Sequence, residues 1–251
     1  MTARARKVKS TDGRGDSKTR AQDTIDTRLA LILAAERIFA EEGITNTSLR
    51  RINQAAGQRN ESAIHYHFGS REGVVAAILE MRTAPINEAR KELIRQALTR
   101  AEGHPLDTRA IARTVAQPLI DHLRDHPEGT YYLRFQCMLW LDRPVWKQFE
   151  RDTRATGLKL AQDELIRAKP YLPRKLLRQR FGLALQMVTN ALARLERMIA
   201  EGSEDAAAEA LEVEYASLVD AIVAIFDAPP SPDLIVALRN AGAEEPDIPA
   251  S

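Results

Sequence analysis

Apolar residues recur at three- and four-residue spacing along most of this chain, and no stretch alternates as a strand would. Leu29, Ile32, Leu33, Ile38 and Phe39 fall near one helical face, with Asp26 or Thr27 as cap and Gly43 as stop. Thr47 or Ser48 can then cap a short helix bearing Leu49 and Ile52, ended by Gly57. A third short helix is predicted over 60–68, closed by Gly69. Ser70 caps a fourth, with Val74, Val75, Ile78 and Leu79 on its apolar face. Pro85 is expected to kink or break the chain before "NEARKELIRQALTRA" resumes as helix. Further helices are predicted at about 107–125, 129–142, 144–168, 173–201 and 204–227, with a short one at 232–240. The pattern gives eight or nine helices in all, and the fold class is all-α.

Composition changes this picture mainly at the ends. Residues 1–26 carry almost no apolar side chains and are expected to be a disordered basic arm, while residues 229–251 form a Pro-rich acidic tail. Between them, residues 27–82 and 83–228 are expected as a small and a larger helical domain. At 251 residues, 44% hydrophobic and 28% charged, the chain can bury a sizeable core. No apolar run approaches the roughly 20 residues of a membrane span, and no apolar signal core follows the basic "MTARARKVKS". The single cysteine, Cys137, excludes an internal disulfide and fits a reducing cytoplasm, the expected location.

The net charge of +1 conceals an asymmetry. Residues 1–82 hold 14 Lys/Arg and 10 Asp/Glu, a balance of +4, and the remainder carries −3. A basic front and mildly acidic rear suit a protein whose first part meets a polyanion.

Segments 47–57 and 60–68 are short enough, and joined tightly enough, to form a helix-turn-helix. Leu49, Ile52, Ala55, Ala56, Ile64 and Phe68 can share a small core with the first helix. The outward face of the second helix would carry Arg59, Asn60, Ser62, Ala63 and His65. Arg and Asn reach base edges with paired hydrogen bonds, while Ser and His donate to bases or phosphates. Backbone amides near Ser48 and Ser70 are natural phosphate anchors.

Residues 28–81 resemble the DNA-binding domain of the TetR family of bacterial transcriptional regulators. The resemblance rests on "ILAAERIFAEEGITNTSLRRINQAAG" followed by "YHFGSREGVVAAIL". It implies phosphate contacts from Thr47 and Ser48, a phosphate bond from Tyr66, and Arg71 in place of the usual lysine at the fourth helix start. It also implies a homodimer on double-stranded operator DNA, released by a small apolar or aromatic effector, and most often repression. Between "AAG" and "YHF" this chain has one residue more than the commonest members. The turn around 58–60 is therefore longer, and which of Arg59, Asn60 and Glu61 faces the bases stays open.

The segment "TYYLRFQCMLWLDRPVWKQFE" concentrates aromatic side chains as an apolar ligand pocket would. Tyr131, Tyr132, Phe135, Gln136, Met138, Trp140 and Trp146 are candidate linings, joined by His122, Met187 and Asn190 from neighbouring helices. Stripes of Leu183, Ala191 and Leu195, and of Leu211, Leu218, Ile222 and Ile225, are candidates for a two-fold dimer interface.

His65 and His67 lie about 200° apart on a helix, so they are not expected to share a metal. No cofactor and no catalytic motif is expected, and Cys137 reads as an inert thiol. A helical small-molecule-binding protein without DNA function, or a helical enzyme lacking a recognisable motif, remain the alternatives.

Overall fold

The structure, a computed structural model, describes residues 13–58, 62–149, 156–201 and 204–240. These form eleven helices and no strand. The head comprises α1 (Gly13–Glu42), α2 (Leu49–Ala55), α3 (Ala63–Phe68) and the start of α4 (Arg71–Arg100). The body comprises the rest of α4 with α5 (Thr108–Arg124), α6 (Tyr132–Leu141), α7 (Arg143–Phe149), α8 (Thr156–Ala168), α9 (Arg174–Ala200) and α10 (Glu204–Asp227). The short α11 (Pro232–Asn240) follows.

Local chemistry sets several of these boundaries. Ser48 Oγ accepts from Arg51 N at 3.2 Å, Ser70 Oγ from Gly73 N at 3.2 Å, and Asp107 Oδ1 from Ala110 N at 2.7 Å. Each satisfies an amide that the first helical turn leaves without a partner. α6 lacks a cap of its own. Glu196 of α9 supplies one, accepting from Leu133 N at 2.9 Å and Arg134 N at 3.0 Å.

The periodicity located the helices, but three expectations are corrected. Helix α1 begins at Gly13, so residues 13–26 are helical rather than a disordered arm; residues 1–12 lie outside the described residues. Extending an established helix costs far less than starting one, which lets a packed helix carry a polar extension.

Pro85 does not divide the chain, because α4 runs unbroken from Arg71 to Arg100. Proline forfeits one helical hydrogen bond. Here its ring faces solvent, while Ile86, Arg90 and Ile94 beyond it are buried. Their burial holds the helix together, and the expected division at residue 82 falls inside α4.

The segment 144–168 is two helices, α7 and α8, with residues 150–155 outside the described residues. The short tail helix lies where the pattern placed it, and residues 241–251 are outside the described residues.

One buried apolar cluster runs through head and body. Phe39 of α1 stacks on Phe135 of α6 with ring centroids 6.2 Å apart, and both are fully buried. Removing side chains of this size from water stabilises a fold by about 1.5–3 kcal/mol each. Around the stack runs a polar collar. The buried Glu36 carboxylate accepts from Arg82 Nε at 2.8 Å and Nη2 at 3.2 Å, from Thr130 Oγ1 at 3.1 Å and from Tyr131 N at 3.1 Å. Arg82 Nη1 also donates to His126 Nε2 at 3.0 Å. Thr45, in the loop after α1, donates to Asp142 beyond α6. Head and body are therefore joined by a stacked ring pair, a buried ion pair and a loop contact.

Candidate DNA-facing head and effector cavity

Helices α2 and α3 are fixed to each other by Asn53, whose buried side-chain carbonyl accepts from Ile64 N at 3.2 Å. The backbone carbonyl of Asn53 accepts from Gln58 N at 3.0 Å, which folds the chain into the turn after Gly57. Gly57 and Gly69 take φ of 68° and 72°, a left-handed conformation that glycine adopts without the Cβ penalty. Pattern reading passed over Asn53, because a polar residue in a short helix looks like surface.

The expected DNA-facing residues divide into three groups. Ser48, Ser62, His65 and Tyr66 are exposed, Tyr66 to 81%. His65 Nδ1 donates back to Gly69 O at 3.0 Å, leaving its other ring nitrogen outward. Arg71 is half-buried, and its Nη2 donates to Thr47 O at 2.8 Å, bringing the starts of α2 and α4 side by side. Ser48 accepts from an amide through Oγ, so its hydroxyl proton is still available to a phosphate oxygen. The Ser70 hydroxyl is instead shared with the Glu72 carboxylate; the Glu72 backbone amide and this hydroxyl together hold that acid below its ordinary pKa.

Two residues do not face outward. Thr47 is 1% exposed and its hydroxyl donates to Gly43 O at 2.7 Å, so its side chain is a helix-entry staple rather than a phosphate contact. Ala63 is buried against the small core. Arg59 and Asn60, like Glu61, lie outside the described residues. Arg51, exposed and paired with Glu42 Oε1 at 3.3 Å, adds a cation that the pattern had not singled out.

In the body, a cavity of about 630 Å³ opens between α4, α5, α6, α7, α8 and α9. From α4 come Thr83, Ile86 and Arg90, and from α6 Tyr132, Gln136 and Trp140. Trp146 of α7, Leu158 of α8, and Phe181 and Thr189 of α9 complete much of the wall. Trp140 and Trp146 meet edge to face at 6.4 Å, building one aromatic side. Its volume falls within the ordinary range of small-molecule sites. The lining helix α4 begins at the head, and Arg71 and Arg90 lie on it roughly 28 Å apart at 1.5 Å per residue.

Two family profiles match this chain: bacterial regulatory proteins of the tetR family over residues 31–78, and the tetracyclin repressor-like C-terminal domain over residues 113–224. Together they take in the head and most of the body. The chain belongs to the TetR family of bacterial regulatory proteins. It is 35% identical over 74 residues to the HTH-type transcriptional repressor NicS of Pseudomonas putida. That match covers 30% of this chain and spans about a third (34%) of the relative. The crystal structure of NalD from Pseudomonas aeruginosa, the secondary repressor of the MexAB-OprM multidrug efflux pump, has a similar fold. Its TM-score is 0.50 at 18% identity, covering 79% of this chain and 96% of that one.

Within this TetR-family fold the expected pocket residues separate. Tyr132, Gln136, Trp140 and Trp146 line the cavity. Phe135 does not, since it turns to Phe39. Tyr131 lies instead against a second cavity of about 480 Å³ at the head–body junction. His122 sits behind Tyr132, its ring 5.4 Å from the phenol and 4.5 Å from His126. Burial, with the charges of His126 and Arg82, lowers the His122 pKa to about 3.

Met138, Met187 and Asn190 are also absent from the wall. Asn190 instead accepts from Cys137 Sγ at 3.5 Å. Burial, reinforced by Glu196, raises that thiol to about 11, so it stays protonated and weakly nucleophilic at neutral pH.

The dimer stripes are corrected as well. Leu195, Leu211, Leu218 and Ile222 are buried within the protomer, and Ala191 and Ile225 are partly so. Leu183 alone of that set is well exposed, at 51%. Helical periodicity identified the apolar faces correctly, but those faces are covered by the chain's own helices. Among the described residues no group of three His, Cys, Asp or Glu side chains could hold a metal ion, and no single helix is long and apolar enough to cross a membrane.

Proposed function

We propose that this protein is a ligand-responsive, DNA-binding transcriptional repressor that acts in the cytoplasm as a homodimer. The observation that carries the reading is the path of α4. It starts at Ser70 and Arg71 beside the helix-turn-helix and continues to Thr83, Ile86 and Arg90 in the cavity wall. A ligand that moves this helix moves the head with it. Binding and release are then linked by the ligand's different affinity for two arrangements of the same helix.

Two heads related by two-fold symmetry would occupy successive major grooves of a near-palindromic operator, their centres ~35 Å apart. Ser48, Tyr66 and Arg71 supply phosphate contacts. Ser62 and His65, with Arg59 and Asn60, supply the base-facing side. The partner protomer would meet the outer faces of α9 and α10, where Leu183 and Val213 are exposed. Repression is favoured over activation by the likeness to NicS, a repressor. No catalytic step is assigned to the cavity.

The test is selection of bound duplexes from a random DNA pool by the full chain, followed by affinity measurements across a salt series. Enrichment of a two-fold motif, with affinity falling steeply as salt rises, is expected. Recovery of no preferred sequence at low or moderate salt would end the DNA-binding reading.

A further inference from the structure

Among its described lining residues the cavity holds a buried cation and no carboxylate. Arg90 projects from the middle of α4 and is 2% exposed, one of the largest fully buried side chains in the protein. Its Nε donates to Thr114 O of α5 at 2.9 Å and its Nη1 to Asn87 Oδ1 at 2.9 Å. Both acceptors are neutral. Among the described residues no carboxylate pairs with it, and its Nη2 has no protein acceptor. A buried guanidinium in a protein interior is ordinarily paired, because desolvating the charge is costly and neutral dipoles compensate it only in part. Burial lowers its pKa to about 10, which leaves it charged at neutral pH.

The surroundings add to the imbalance. Arg143, Lys159 and Arg178 also line the cavity, and among its described lining residues there is no aspartate or glutamate. Lys159 is neutralised by Asp163 one turn along α8, whereas Arg143 and Arg178 have no acidic partner among the described residues. Beside Arg90, Thr83 Oγ1 and Tyr132 Oη are 3.1 Å apart. Whichever hydroxyl donates in that bond, the other keeps a proton free to donate. Burial holds the Tyr132 phenol above its ordinary pKa, so the proton is retained. Trp140 and Trp146 form an apolar aromatic wall of the same cavity.

We propose that the effector is an aromatic monocarboxylate whose carboxylate is anchored by the Nη2 of Arg90 and by the free hydroxyl of the Thr83–Tyr132 pair, with its ring against Trp140 and Trp146. This rests on reading the cavity as the effector site and names the chemical class that the site takes. The bonds to Thr114 and Asn87 fix the plane of the guanidinium before the ligand arrives, so little side-chain freedom is lost on binding. The carboxylate supplies the missing counter-charge. A neutral amide could accept from the same donors through its carbonyl but brings no counter-charge, so its bond to the guanidinium is the weaker one.

The test uses matched acids and amides on the full chain by titration calorimetry: benzoate and benzamide, phenylacetate and phenylacetamide, 2-naphthoate and 2-naphthamide. At least one acid is expected to bind about tenfold or more tightly than its amide, as a charge-assisted bond requires. In Arg90→Met the acid should lose its advantage over the amide, falling much further than the amide does, and Arg90→Lys should recover part of the difference. The wild-type comparison alone decides the matter if Arg90→Met folds poorly, as its helical signal would reveal.

Equal affinity for acid and amide, failure of every acid to bind, or an undiminished acid preference in a folded Arg90→Met protein would each overturn the proposal. Binding to the selected DNA, measured in parallel, separates the two claims. Release by neutral amides but not by acids removes the carboxylate assignment and leaves the regulator. An acid preference in a protein that binds no DNA removes the regulator and leaves the assignment.

Discussion

Two arginines on α4 perform opposite versions of one task. Arg71, in the first turn, is half-buried at the head surface and donates to Thr47 O. Arg90, further along, is sealed in the body and donates to Thr114 O and Asn87 Oδ1. Each uses neutral carbonyls to hold its guanidinium in place, and each is proposed to meet an anion from outside the chain.

The difference is the medium. At the head, water and salt screen Arg71, so its attraction to a phosphate is modest and falls with ionic strength. In the cavity the screening is weak, so one charge can select a ligand class. On the proposed reading, a single helix would carry a salt-sensitive contact at one end and a salt-insensitive one at the other. The head–body collar fastens the middle of this helix, through Arg82, to Glu36 of α1 and His126 of the body.

The collar gives the largest expected effect. Glu36→Ala removes the buried partner of Arg82 and strips acceptors from Thr130 and Tyr131. A loss of about 3–5 kcal/mol is expected, as for other broken buried ion pairs, read from the urea midpoint. A change below about 1 kcal/mol would mean that head and body are not coupled through this pair.

Next comes Arg71→Ala, which should weaken operator binding by roughly 10- to 100-fold and lower the salt slope by about one phosphate, with the urea midpoint little changed. An unaltered slope would remove Arg71 from the DNA surface. The His122 imidazole, held at about 3 by burial, is neutral in the folded protein and charges near 6.5 when unfolded. Its contribution is complete above pH 6.5 and is lost as pH falls toward 3, at about 1.4 kcal/mol per pH unit. His122→Phe should flatten that slope; an unchanged acid profile would contradict the assignment. The smallest effect belongs to Thr47→Val, which should cost about 1 kcal/mol of stability through the lost bond to Gly43 O and leave the salt slope untouched.

Sequence and structure agree wherever periodicity alone sets the answer. Helices α5 to α11 sit within a few residues of their expected spans, apart from the split between α7 and α8, and Ser48 and Ser70 cap where the pattern put caps. The misreadings share a cause: an apolar face reveals that it is covered, but not by what. Leu195, Leu218 and Ile222 looked available to a second protomer and are covered by the first. Phe135 looked like pocket lining and is claimed by Phe39. Pro85 looked like a boundary because the burial of Ile86 and Ile94 beyond it is tertiary information.

Arg90 was legible in one respect. It sits between Ile86 and Ile94 at i±4, a charge inside an apolar stripe, and that spacing marks a buried cation. What the pattern could not show is that no acid among the described residues stands opposite it, which only the assembled helices reveal.

Release of DNA by ligand tests the link between the two ends of α4 most directly. The selected operator fragment, bound to the full chain at fixed salt, would be titrated with the tightest-binding aromatic carboxylate while fluorescence anisotropy reports occupancy. Wild-type protein should dissociate as the ligand saturates the cavity, and folded Arg90→Met should stay bound across the same range. Wild-type protein that keeps its DNA at saturating carboxylate, or an Arg90→Met protein released at the same concentration, would contradict the account.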